Sequence, residues 1–195
     1  SPINGIVDMS VDFDENDRFC LNGQKLILLK DSGPYGGNGA QYKTLRDDGS
    51  IITSYTGSLT GPAYFIVKTK SGESQTYGQG SANNYPVGNT NVIKSWFIKS
   101  IKDPYNNGIY FNYKTESNGE EFLLDFINYG SATDPNLGKV QINYENKTKT
   151  SIGYQNGYRY QLTKRIASVT SYYKTSSIFR YYDLAYETSP FSGFD

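Results

Sequence analysis

The sequence predicts an all-β fold, and three observations carry that prediction. Turn-forming pairs recur at short intervals: Asn4-Gly5, Asn22-Gly23, Asn38-Gly39, Asp48-Gly49, Ser71-Gly72, Asn107-Gly108, Asn118-Gly119 and Asn156-Gly157. The runs between them alternate or cluster apolar residues over strand lengths. No window sustains the 3.6-residue apolar period and the caps of a helix. Composition agrees, with 19 Tyr and 10 Phe, residues that fit a pleated, half-buried surface, and 20 Gly to supply turns.

Taken in order, the first clear element is a hairpin. Asn22-Gly23 can take the positive φ angles of a two-residue turn, and Phe19, Leu21, Leu26 and Leu28 flank it. Gly33-Pro34-Tyr35-Gly36-Gly37-Asn38-Gly39 reads as a flexible loop between strands: it lacks the Lys-Ser/Thr ending of a phosphate loop, and no helix follows it. Tyr64 to Thr69, Ser71-Gly72 and Ser74 to Tyr77 make a second hairpin. Further strands are expected at Val92 to Ile101, Ile109 to Tyr113, Phe122 to Ile127, Lys139 to Tyr144, Tyr158 to Val169 and Ile178 to Tyr186. These later strands have a rhythm. Three times a strand is followed by a polar turn and then a strand ending in aromatic residues, as in Ile109-Tyr110-Phe111-Asn112-Tyr113. Hairpins repeated in this way can add side by side, each covering the edge of the last. A β-sandwich is the alternative that periodicity alone leaves open.

The 195 residues suit one domain, read as a single module over 1–195 with hairpins of distinct composition in 1–90 and repeat-like hairpins in 91–195. Lys plus Arg equals Asp plus Glu at 19 each, so the chain has no net field to recruit nucleic acid or an anionic membrane. Cys20 is the single cysteine, which excludes an internal disulfide; in an apolar hairpin strand it reads as a small buried hydrophobe. No stretch approaches the roughly 20 apolar residues of a membrane-spanning helix, and the first five residues do not resemble a secretory leader. Asn146-Lys147-Thr148 matches the glycosylation pattern and carries no meaning in a bacterial protein.

Catalytic chemistry has few candidates. The sequence contains no histidine, which removes His-dependent nucleophilic catalysis and the commonest zinc ligand. Asp12, Asp14, Glu15 and Asp17 lack the central Gly and distal Glu of a calcium-binding loop and read as a solvated lead-in to the first hairpin. Glu121 and Asp125 fall on one strand face by alternation, so they could approach as a glycosidase pair does. With no cleft to serve, Glu120, Glu121 and Asp125 read as solvent-facing charges at a strand start. No catalytic, cofactor-binding or metal-binding residue is assigned, and no enzyme activity is expected.

A resemblance extends this reading. The run Asn16-Asp17-Arg18-Phe19-Cys20-Leu21-Asn22-Gly23-Gln24-Lys25-Leu26 resembles the "NDRFCLDGQRL" signature of the Salmonella virulence-plasmid B (SpvB-type) domain. That domain also begins the B component of insecticidal Tc toxin complexes and many Rhs/YD-repeat proteins. Further pieces follow in order. Ser32-Gly33-Pro34-Tyr35-Gly36 with Gln41-Tyr42-Lys43-Thr44 resembles "G-x-YG…EYRTE". Ser54-Tyr55 with the run from Gly61 to Gly72 resembles "SYG…GPxxFxVxTKDG". Tyr77-Gly78, Trp96, Ile98 and Ile101-Lys102-Asp103 resemble "YG…WxLxxIxD", and Tyr181 to Glu187 resembles "YxLxYE". Asn22, Lys25 and Leu45 depart from the pattern, where the family has Asp, Arg and Glu.

The resemblance implies a curved sheet of successive hairpins that forms a segment of a larger Rhs-like β-shell. The implied function is structural: part of a toxin-complex B-component wall that encloses and helps deliver a toxic effector. The implied partners are other domains of the same parent chain and an Rhs-type partner subunit, and the implied location is extracellular after cytoplasmic assembly. The Salmonella relative's ADP-ribosyltransferase belongs to a separate C-terminal domain with a Glu-x-Glu loop. This chain has no Glu-x-Glu, and Ser168-Val169-Thr170-Ser171 matches the family's S-T-S strand poorly. Two alternatives stand beside the shell. One is a self-associating secreted structural or adhesive protein, suggested by abundant Tyr, Asn, Ser and Gly at zero net charge. The other is a carbohydrate-binding module using exposed Tyr and Trp96.

Overall fold

The computed structural model describes residues 2–3, 6–7, 11, 13, 16–155, 157–174 and 176–187. Asn4-Gly5, Asp12, Asp14, Glu15 and Asn156 lie outside the described residues. The strands are β1 (Pro2–Ile3), β2 (Ile6–Val7), β3 (Cys20–Leu21), β4 (Gln24–Leu28), β5 (Gln41–Thr44), β6 (Ile51–Thr56), β7 (Pro62–Lys68) and β8 (Ser74–Gly78). They continue as β9 (Asn83–Asn84), β10 (Ser95–Trp96), β11 (Ile98–Lys102), β12 (Gly108–Glu116), β13 (Glu121–Gly130), β14 (Gly138–Gln155), β15 (Tyr158–Tyr173) and β16 (Ser177–Asp183). Twelve of them form one antiparallel sheet in which β3 to β8 and then β11 to β16 lie side by side in chain order. The two short ladders β1–β2 and β9–β10 stand apart from it. The sandwich alternative therefore fails among the described residues: the hairpins add laterally into a single layer.

The first hairpin forms as its sequence requires. Cys20 pairs with Lys25 and Leu21 with Gln24 around Asn22 at φ 49° and Gly23 at φ 75°. That positive-φ turn matches the twist of the strands it joins. The rhythm of the later strands becomes the β11–β12, β13–β14 and β15–β16 hairpins. Several boundaries differ from expectation, β5 and β6 were not among the expected strands, and two of the differences have a clear physical reason. The run from Val92 to Ile101 breaks at Phe97, whose amide leaves the main ladder to bond the carbonyl of Ala82 at 2.8 Å. β14 runs 18 residues, well past Tyr144, because its polar continuation carries no apolar signal but is paired by β15.

Residues directly opposite one another in a ladder lie on the same face of a sheet. One such row crosses the sheet from β4 to β16: Leu28, Tyr42, Ile52, Val67, Gln75, Ile101, Ile109, Tyr129, Gly138, Tyr173 and Ser177. This face is apolar nearly throughout. At its β4–β8 end it is the core, built of Leu26, Ala40, Tyr42, Ile52, Phe65 and Val67, with Phe19, Tyr35 and Trp96 packed over it.

The roof over that core comes from loops. Phe19 stacks on Tyr35 at 5.1 Å and meets Phe65 and Trp96 edge-on at 5.2 and 5.5 Å between centroids. The glycine-rich segment expected to be a flexible loop is instead folded against the sheet. Its Gly36 amide donates to the Tyr42 hydroxyl at 2.7 Å, and Ser54 Oγ donates to the Gly37 carbonyl at 2.6 Å. Gly36, at φ 79°, has the ring of Phe19 3.7 Å from where a Cβ would stand. Closing the loop over the core settles polar groups that would otherwise be buried unpaired.

Candidate assembly surface

On β12 to β16 the apolar face continues without a roof. β12 places Ile109 and Phe111 on it, β13 Ile127 and Tyr129, β14 Val140 and Ile142, β15 Val169 and Tyr173, and β16 Tyr182. Exposure rises along the row described above, from 0% at Tyr42 and 1% at Ile52 to 41% at Ile109, 43% at Tyr129 and 60% at Tyr173. The transition falls at Phe97, Tyr113 and Phe122, whose rings lie 4.5 to 5.5 Å apart. Tyr113 donates its hydroxyl to the Ile98 carbonyl at 2.8 Å, and burial, with nearby Tyr77 adding to it, pushes its pKa up to about 12. Beyond this stack the apolar side chains meet no second layer among the described residues.

The opposite face of the same strands is polar and aromatic. It carries Tyr110, Asn112, Phe126, Asn128, Lys139, Gln141, Thr170 and Tyr172. Lys139 Nζ lies 4.5 Å from the centroid of Phe126, and Lys102 Nζ lies 5.8 Å from that of Tyr110. β16 completes the open region. Ile178, Phe179, Tyr181 and Tyr182 are all more than half exposed, and among the described residues β15 is the strand's single ladder partner. The result is a one-layer sheet with an apolar side, a polar side and an outer strand paired along one edge among the described residues.

Close packing within the layer depends on two cross-strand pairs. Gly138 lies opposite Tyr129 and Gly153 opposite Tyr160, and each ring lies where the glycine's Cβ would stand. An aromatic ring laid over a strand glycine fills the gap the missing side chain leaves.

The candidate residues from the sequence fare unevenly. The carboxylates at the start of β13 are not solvent-facing. Glu121 is 3% exposed, and its carboxylate accepts the amides of Thr163 and Lys164 at 3.0 and 3.1 Å and the Thr163 hydroxyl. Glu120 is held by Arg159 Nη1 at 2.6 Å and by the Gln161 side-chain amide. Burial raises the Glu120 pKa, but the hydrogen bonds from Gln161 and Arg159 outweigh it and leave the carboxyl below its usual range. Asp125 takes the side-chain amide of Gln141 at 3.0 Å and lies 4.0 Å from Lys114 Nζ. A cleft of about 210 Å³ does lie beside this pair, between residues 84–87, the start of β13 and the tip of the β14–β15 hairpin. The carboxylates are spent on holding its walls together.

Cys20 is exposed, contrary to expectation. It shares the outer face with its ladder partner Lys25, while its neighbours Phe19 and Leu21 turn inward to the core. Trp96 is not an exposed platform for sugar: it packs edge-on against Phe65 at 5.2 Å and donates its indole N–H to the Pro62 carbonyl at 3.0 Å. Of the acidic lead-in only Asp17 is described, and its carboxylate accepts the Phe13 amide at 2.7 Å. Among the described residues no three potential metal-ligating side chains cluster.

Fold and surface together define a class: an all-β meander one layer thick, cored at one end and bare on its apolar side at the other. Solved structures share the fold. The chain is similar to the N-terminal domain of effector protein SpvB from Salmonella typhimurium strain LT2, with a TM-score of 0.71 and 13% identity over 91% of this chain and 84% of that one. It is also similar to the TcdB2-TccC3-Cdc42 structure, with a TM-score of 0.68 and 13% identity over 83% of this chain. The TcdB2-TccC3 structure matches with a TM-score of 0.68 and 14% identity over 84% of this chain. The chain spans 10% and 11% of those two longer chains. No family model and no curated protein matches the sequence.

Proposed function

We propose that this chain is a non-catalytic structural module of a toxin-complex B component, one segment of a β-sheet shell that encloses an effector. The observation that carries the reading is the bare apolar face of β12–β16. A monomeric soluble protein rarely leaves so contiguous an apolar surface in water, and such a surface ordinarily belongs to an interface. The likeness in fold to the SpvB N-terminal domain and to the TcdB2-TccC3 structures supports the choice of assembly. In this reading the apolar face packs on another part of the parent chain or on an Rhs-type partner subunit, and β16 pairs with a following strand. The opposite face, with Tyr110, Asn112, Asn128, Gln141 and Tyr172, then lines the interior as a wettable surface that does not grip an unfolded cargo.

The test starts from the native mass of the polypeptide carrying this sequence, isolated from its source. A parent far larger than 21.8 kDa that stays one compact particle is the expected result. A free chain of this size that forms oligomers or fibres through the bare face and the open edge of β16 overturns it and makes the chain a self-associating structural protein. In the parent, Ile109→Lys with Tyr173→Lys is expected to abolish assembly while leaving the module folded.

A further inference from the structure

We propose that Glu120 and Glu121 form an acid-releasable clasp that holds the β14–β15 arm folded against the start of β13. This does not depend on the shell reading, because it rests on contacts within the chain.

The arm has a break that makes such a clasp necessary. β13 pairs with β14 over Phe126 to Tyr129 alone, so β14 beyond Gln141 and the distal half of β15 leave the main sheet as a two-stranded ribbon. Within the ribbon the register jumps: Asn146 opposes Lys164 and Ser151 opposes Leu162, which sets residues 147–150 against Thr163 alone. In a regular strand, consecutive amides point to opposite sides. Here the amides of Thr163 and Lys164 both go to one carboxylate, that of Glu121. One residue earlier, the Glu120 carbonyl accepts the Gln161 amide at 3.1 Å while its carboxylate holds Arg159 and the Gln161 side chain. The first residue of β13 and the residue before it thus fasten β15 from Arg159 to Lys164, and Tyr144 adds a bond from its hydroxyl to the Leu124 carbonyl at 2.7 Å.

The clasp is strongest when ionised. A carboxylate offers acceptors on both oxygens, whereas a carboxylic acid turns one of them into a donor. Protonated Glu121 keeps one acceptor oxygen for the two amides, loses the second bond from the Thr163 amide and turns its bond with the Thr163 hydroxyl round, so the charge assistance of all of them is lost; protonated Glu120 loses its charge-assisted bond to Arg159. Among the described residues, the other charged and titratable groups near the pair are Tyr158, Arg159, Tyr160 and Lys164 on β15, Asp125 on β13, Lys114 and Glu116 on β12, Tyr144 on β14, and Tyr85 and Lys94 between β9 and β10. Lys164 is turned to Asn146 Oδ1 at 2.7 Å, and Lys114 lies within 4.0 Å of Glu116 and Asp125, so Arg159 is the cation that pairs with the clasp. The Glu120 pKa is lowered in the fold, so its contribution is complete above the ordinary carboxylate pKa of about 4.3 and is lost as pH falls through the lower folded value.

Hydrogen–deuterium exchange on the full chain, from about pH 7 to about pH 2 and corrected for the intrinsic pH dependence of exchange, tests this directly, because the lowered Glu120 carboxyl gives up its charge below the ordinary carboxylate range. Peptides covering 158–166 are expected to lose protection by about tenfold or more at the acid end, while peptides covering 40–67 in the core keep theirs. Glu121→Gln, which keeps the shape and removes the charge, is expected to lower protection of 158–166 already at pH 7 and flatten its pH dependence; Glu120→Gln is expected to do so to a smaller degree. A smaller loss in the wild-type chain, or a loss that occurs together with that of 40–67, overturns the proposal. So does a Glu121→Gln chain that matches wild type at pH 7.

Discussion

Between β4 and β8 the apolar face of the sheet lies under Phe19, Tyr35 and Trp96; between β12 and β16 the same face, in the same unbroken row of ladder partners, lies under no second layer among the described residues. The alternation of apolar and polar residues is much the same in both regions. What differs is the loops. The connection from β4 to β5 carries Tyr35 and a tight glycine-rich fold that returns onto the sheet, and the long connection from β8 to β11 delivers Trp96 and Phe97. The connections between β12 and β16 are short polar turns such as Ser131 to Asn136, which close hairpins and have nothing to lay on a face. One apolar face therefore serves as a core where loops cover it and stays exposed where the described loops do not.

That contrast can be broken most strongly at Tyr42. Its side chain is fully buried and its hydroxyl bonds Gly36 and Ser54, so Tyr42→Ala is expected to destabilise the chain by about 3–5 kcal/mol. For a domain of this size that lowers the melting temperature by roughly 10 °C, measurable by calorimetry. A smaller effect follows at Ser54. Ser54→Ala leaves the closed loop without its hydroxyl donor to the Gly37 carbonyl and is expected to cost about 1–2 kcal/mol, read from the denaturant midpoint.

On the bare side the same kind of change should matter little. Ile109→Ser and Tyr173→Ser are expected to stay within about 0.5 kcal/mol of the parent stability in the isolated module. Losses near those of Tyr42→Ala would mean that the face is covered within this chain and would remove the contrast. The smallest effect sharpens it spectroscopically. Burial pushes the Tyr35 and Tyr113 hydroxyls up to about 12 and raises those of Tyr77 and Tyr144, so a spectrophotometric titration should show late-ionising tyrosines, with Tyr35→Phe and Tyr113→Phe each removing one of the latest. A phenol whose folded pKa is raised keeps its contribution to stability below the unfolded value near 10 and loses it as pH rises from there through about 12, so alkaline destabilisation should set in across that window.

Much of this architecture was legible in the residues. Asn22-Gly23 between apolar runs specified its hairpin, and the repeated strand–turn–strand units specified successive hairpins, because a turn pair and a period of two are local properties; that the hairpins add side by side into one layer was implied by the resemblance and not by the spacing. The carboxylates were misread for an equally physical reason. Nothing local distinguishes Glu121 from a surface acid, since what buries it is the Thr163 and Lys164 backbone some forty residues later, bent toward it by a register jump that the polar run of β14 conceals. Cys20 was misjudged by one step of alternation: in a two-residue strand, Phe19 and Leu21 take the inward positions and leave Cys20 outside.

By itself, then, the sequence determined the all-β class, most of the strands and the alternation of faces along each, because backbone alternation and turn chemistry act over a few residues. Only the tertiary structure decided which part of the apolar face becomes a core, which stays bare, and where two acidic side chains are spent. Those outcomes depend on loops and ribbons returning from distant positions, and a return path is set by the packing of the whole sheet.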